Sequence, residues 1–114
     1  NVSDPLAITF TIVDTTIPVI TLTSTTDDLA IADAPTWTPV TNLVSATDDY
    51  DGDVSGTVVY VFKEDTSGGS VISSLADART HLGTATNVVY VTYNVDDSSD
   101  NSAVEKHYTV TAIE

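Results

Sequence analysis

The chain has 114 residues, with 17 Asp and Glu against 3 Lys and Arg, so its formal charge is 3 − 17 = −14. That balance argues against nucleic acid and anionic membrane surfaces as partners, because both need Lys and Arg to neutralise phosphate. Hydrophobic residues make up 41%, too many for a disordered acidic tail, yet no apolar run approaches the ~20 residues that span a bilayer.

Strand-like segments separated by turn clusters dominate the chain. Leu6 to Val13 alternates, with Leu6, Ile8, Phe10 and Ile12 on one face. Asp14-Thr15-Thr16 interrupts the pattern, and Ile17 to Thr23 resumes it, with Pro18 near the start, where a missing N–H is tolerated. Asp28 to Ala32 is a short strand candidate. Ala34 to Pro39 is an irregular connection restricted by prolines at both ends. It carries Trp37, which is expected to fill the core or plug one end rather than stack on a sugar. Leu43 to Thr47 is a strand running into the acidic loop Asp48 to Asp53. Thr57 to Lys63 is apolar on both faces, as for a central strand, and Asp65 to Ser70 is a Gly/Ser turn. Ser74 to Leu82 fits a short helix, with Ser74 as cap and Gly83 as stop. Val88 to Val95 is the strongest strand, with Val89, Val91, Tyr93 and Val95 on one face. Asp96 to Ser102 is a second acidic loop. Val104 to Ile113 follows, with Val104, Tyr108, Val110 and Ala112 on one face.

About seven or eight short strands spaced by turns predict an all-β, antiparallel immunoglobulin-like sandwich with one short helix near 74–82. The absence of Cys removes disulfides, thiolate zinc sites and Cys nucleophiles. Met is also absent, including at position 1, which points to a piece of a longer chain. Thr9 to Asp14 and Thr109 to Glu114 share a pattern at a constant offset of 109 − 9 = 100. That offset suggests a tandem array. Residues 1–13 are then either the last strand of a preceding repeat or an extra first strand, and 14–114 form the repeat itself.

Strand direction places three acidic stretches at one pole: Asp14, the loop of Asp48, Asp49, Asp51 and Asp53, and the loop of Asp97, Asp100 and Asn101. Asp27, Asp28, Asp65 and Glu114 form a weaker set at the opposite pole. Two bare charges 4 Å apart cost about 4 kcal/mol at an intermediate effective dielectric. A hard divalent cation resolves such crowding. Calcium takes roughly 6–8 oxygen ligands in loose geometry, whereas magnesium demands a strict octahedron. With no Cys and no paired His, zinc and copper are disfavoured. The 48–53 loop is not an EF-hand, because Tyr60 stands where the twelfth-position Glu would be. Alternation ranks Asp51, Asp53 and Asp100 ahead of Asp48 and Asp97.

Three stretches carry a resemblance. They are Asp14-Thr15-Thr16-Ile17-Pro18-Val19-Ile20-Thr21-Leu22, Ala46-Thr47-Asp48-Asp49-Tyr50-Asp51-Gly52-Asp53-Val54, and Tyr90 to Asp97 with Asp100-Asn101-Ser102-Ala103. Together they resemble bacterial immunoglobulin-like repeats of large surface proteins. The chain departs from them at Asp100, where Gly is usual, and in a longer stretch from Glu64 to Thr86. The resemblance implies an extracellular or cell-surface array, often an adhesin stalk, with calcium near domain junctions as in cadherin-like modules and with neighbouring repeats as partners.

No catalytic constellation is visible. His81 and His107 are the only histidines, and no Ser-His-Asp order, phosphate cradle or HExxH motif appears. The sequence therefore reads as a non-enzymatic, calcium-stabilised extender repeat of a bacterial adhesin. The alternative is a carbohydrate- or ice-binding module, or an accessory domain of a secreted enzyme. Thr-x-Thr at 9–11, 21–23, 36–38 and 109–111 is its only support, and any strand with one solvated face yields that pattern.

Overall fold

The computed structural model describes residues 14–114. The expected strand at Leu6–Val13, and with it the domain division at residue 13, lies outside the described residues. The elements in chain order are β1 (Val19–Leu22), β2 (Thr26–Ala30), two short 3-10 turns (Ile31–Thr36 and Pro39–Asn42), β3 (Leu43–Asp48), β4 (Gly52–Asp53), a further 3-10 turn (Ser55–Thr57), β5 (Val59–Glu64), β6 (Val71–Ile72), α1 (Leu75–His81), β7 (Val88–Asn94) and β8 (Lys106–Ile113). They make an all-β sandwich of two sheets, ordered β1-β3-β4 and β2-β8-β7-β5-β6.

The core follows from alternation. Val89, Val91, Tyr93 and Val95 of β7 and its extension are all at most 2% exposed. They face Ile20 of β1 and Ala46 of β3 from the other sheet, within one buried cluster. Tyr108, Val110 and Ala112 of β8 continue that face. Tyr93 satisfies its buried hydroxyl by donating to the main-chain oxygen of Pro39 at 2.8 Å. Trp37 is buried and meets Phe62 edge-on, with ring centroids 6.1 Å apart. Helix α1 forms where expected. The Ser74 hydroxyl accepts from the Asp77 amide at 3.1 Å, satisfying one of the free N–H groups of the first turn, and Ala78 and Leu82 are fully buried. In the turn before β6, Gly69 is required: a Cβ there would lie 1.7 Å from the Glu64 oxygen.

Three expectations need correction. The sandwich is not wholly antiparallel, because β2 runs parallel to β8, from Thr26 opposite Thr109 to Ala30 opposite Ile113. β5 is not covered on both faces. It lies next to the two-residue edge strand β6, and Val59 and Val61 are exposed, so β7 is the strand most fully enclosed. Val104 does not share the face of Tyr108: it precedes β8 and is exposed.

The connections put the acidic loops at one pole. β1 leaves the Asp14 segment, and β3 returns antiparallel to it, Val19 pairing Thr47. β3 therefore ends at Asp48, beside the start of the chain's described part. β7 arrives at the same pole and opens into the 96–102 loop, which is closed by the Asp96–Ser102 bridge.

Candidate metal centre

Asp14, Asp48 and Asp97 each offer a carboxylate oxygen, and these three atoms lie within 4.8 Å of one another. Asp48 and Asp97 are both 5% exposed. Each is set by the same local device, an aspartate whose oxygen accepts from the amide two residues on. Asp14 Oδ1 accepts from the Thr16 amide at 3.0 Å and from the Thr16 hydroxyl at 2.7 Å. Asp48 Oδ2 accepts from the amides of Tyr50 and Asp51, both at 2.9 Å. Asp97 Oδ1 accepts from the amides of Ser99 and Asn101, both at 2.9 Å.

The device leaves a second oxygen on each of Asp14 and Asp48. Among the described residues, Asp14 Oδ2 and Asp48 Oδ1 are buried and have no hydrogen-bond partner. A buried carboxylate oxygen without a donor is costly. These two orphans belong to the group that also includes Asp97. The remaining Asp97 oxygen, Oδ2, accepts from the Asn101 side-chain amide at 2.9 Å, and that amide also donates to the main-chain oxygen of Asp14 at 2.7 Å.

Electrostatics follow the geometry. The Asp14 carboxyl is held down by the Thr16 hydroxyl and amide. Desolvation, contact with Asp97 and the charge of Asp48 outweigh them, so it ends above its ordinary value. For Asp97, desolvation pushes upward, but donation from the Asn101 side chain and amide and from the Ser99 amide, beside the neighbouring Asp14 carboxyl, holds it below its ordinary value. Asp14 thus takes up a proton more readily than Asp97 does.

The other expected ligands lie elsewhere. Asp51 turns to the opposite loop, its two oxygens accepting from the Ser98 amide at 2.6 Å and the Ser98 hydroxyl at 2.8 Å. Asp53 is exposed and accepts from the Ser55 amide at 2.9 Å; the Ser55 side chain, and then that amide, hold its carboxyl below the ordinary value. Asp49 and Asp100 are exposed. Asp100 has φ 64, a left-handed turn position that Asp tolerates and Gly usually fills; this accounts for its place where the resembled repeats carry Gly. The amides of each tight loop take the first aspartate as their acceptor, so the carboxylates that cluster with Asp14 are Asp48 and Asp97, and not Asp51, Asp53 or Asp100, which alternation places first. Thr16 and Ser98 were not among the expected site residues. The Asp-x-Thr, Asp-x-Tyr and Asp-x-Ser spacings at 14, 48 and 97 are the sequence signal for this arrangement.

The donor set is all oxygen and anionic, with two oxygens lacking partners, so it fits a hard cation and not a soft one. Neither histidine belongs to it. His81 lies between Glu64 and Asp65, at 4.0 and 3.7 Å, and His107 stacks on Tyr90 with centroids 5.2 Å apart.

No family model matches this sequence, and no solved structure matches it. The chain is similar to the outer cell wall protein of Brevibacillus brevis, with 46% identity over 91 residues, covering 80% of this chain and 9% of that protein. The chain thus spans only a small part of that relative's length. The similarity supports an extracellular, bacterial cell-surface location. No helix among the described residues is long and apolar enough to cross a membrane.

Proposed function

We propose that the chain is a calcium-stabilised, immunoglobulin-like extender repeat of a bacterial surface protein, working mechanically and without a bond-breaking step. The observation that carries this reading is the pair of buried, unpartnered oxygens on Asp14 and Asp48 beside Asp97. Asp14, Asp48 and Asp97 would hold the ion, and water and main-chain oxygens would complete its shell. The ion supplies positive charge to three crowded carboxylates. The similarity to an outer cell wall protein favours a surface array over a soluble enzyme accessory.

Asp14 makes the site mechanical. It lies ahead of β1, in the segment by which the chain arrives at the sandwich, whereas Asp48 and Asp97 belong to loops of the sandwich itself. Binding therefore ties the arriving segment to the domain and sets the angle at which a neighbouring repeat of the chain departs. In an adhesin stalk, a fixed angle becomes reach.

Thermal unfolding with calcium and with a chelator tests the reading. A ligand that binds only the folded state stabilises it by about 2.7 kcal/mol at a hundredfold excess over Kd. For a chain of this length, that is a rise in Tm of roughly 10 °C. Superimposable melting curves in the two conditions would refute the calcium role.

A further inference from the structure

We propose that Asp51 and Ser98 form a clamp that positions the cation-binding carboxylates, and that Asp51 is not itself a ligand. The inference rests on the calcium reading and divides the labour within the acidic pole.

The geometry is two-pronged. Asp51 uses both oxygens on one residue, at 2.6 Å to the Ser98 amide and 2.8 Å to its hydroxyl, and the two residues are 47 positions apart. Charged acceptors make the stronger hydrogen bonds, and paired bonds also fix orientation. Both ends of the clamp adjoin the site. Ser98 follows Asp97 directly, and the Asp51 amide donates to Asp48 Oδ2 at 2.9 Å. A continuous path therefore runs from Asp48 through the Asp51 amide, the Asp51 carboxylate and Ser98 to Asp97. It holds two like-charged, buried side chains together, which their own repulsion would drive apart. The clamp assembles the site before the ion arrives.

Ligand and clamp differ in sign when the ion is absent. Replacing a ligand carboxylate by an amide removes repulsion, so the metal-free protein gains stability. Removing the clamp frees the loops, so the metal-free protein loses it. Groups that orient metal ligands typically change metal affinity by about 10–100-fold when removed.

The experiment compares Tm in chelator and across a calcium titration for the unaltered chain, Asp48→Asn, Asp51→Ala and Ser98→Ala. In chelator, Asp48→Asn melts higher and Asp51→Ala melts lower than the unaltered chain. With calcium, Asp48→Asn loses the gain, while Asp51→Ala keeps it but needs roughly 10-fold or more calcium to reach it. Ser98→Ala retains every carboxylate and also shifts the calcium midpoint upward. An Asp51→Ala protein that melts higher in chelator and loses the calcium gain would make Asp51 a ligand and overturn the proposal. An unshifted midpoint in Ser98→Ala would overturn it as well, even if Asp51→Ala fails to fold. Should the unaltered chain show no calcium gain, the calcium reading falls, and the direction of the Asp51→Ala change in chelator still decides whether the clamp exists.

Discussion

The side-chain amide of Asn101 donates to the main-chain oxygen of Asp14 at 2.7 Å, joining residues 87 positions apart. The same nitrogen donates to Asp97 Oδ2 at 2.9 Å. One side chain thus fastens the arriving segment to the late loop and orients a candidate ligand. Asn101→Ala is expected to cost roughly 2–4 kcal/mol in calcium-free buffer, the range for a bond to a charged group with a neutral one added. Urea unfolding measures this. An unchanged midpoint would show that the fastening contributes nothing.

The second prediction concerns pH. Asp14 is raised above 3.8, so its ionisation weighs against the metal-free fold at neutral pH, and stability grows as pH falls through the Asp14 value. Asp97 is lowered, so its contribution is present above 3.8 and disappears as pH falls through its own, lower value. The site's share of metal-free stability therefore peaks between the two. Protons compete with calcium for the Asp14 carboxylate, whose pKa is raised, so binding weakens as pH falls towards that carboxyl's range. Calcium titrations at several pH values check this. Constant affinity over the interval would contradict the assignment of the proton to Asp14.

A third prediction lies in the core. Trp37 is buried against Phe62, and its main-chain oxygen accepts from Arg79 Nε at 2.6 Å, linking the 3-10 region to α1. Trp37→Ala should cost about 3–5 kcal/mol. If Trp37 served chiefly as a sugar platform, the loss would be far smaller and binding of a glycan would suffer instead.

Much of the fold is legible in the residues because the dominant signals are local. Alternation from Val89 to Val95 identifies the most enclosed strand, and Ser74 with Ala78 and Leu82 identifies the helix. The arrival of three acidic stretches at one pole follows from counting strand reversals. What local pattern does not carry is the choice of neighbour. Nothing in Thr26–Ala30 distinguishes a parallel partner from an antiparallel one, since the same alternation serves both, and the pairing with β8 is settled by tertiary packing. Val59 and Val61 look like core residues but lie on an outer face, because they alternate with Tyr60 and Phe62, which take the side facing the core.

The site shows the same division. The meeting of acidic loops at one pole is legible in the sequence, whereas which carboxylates cluster there is not. Face alternation ranked Asp51, Asp53 and Asp100 first, but within tight loops alternation no longer governs direction. Amides seeking an acceptor do, and they choose Asp48 and Asp97. The position of Asp14 within this group depends on contacts with Asn101 across most of the chain.

The most direct test of the central claim is a calorimetric calcium titration of the purified, chelator-stripped chain beside its Asp48→Asn variant. The account predicts saturable binding by the unaltered chain at the Asp14, Asp48 and Asp97 group, and its loss in the variant. No saturable heat in the unaltered chain, or equal binding in Asp48→Asn, would contradict it.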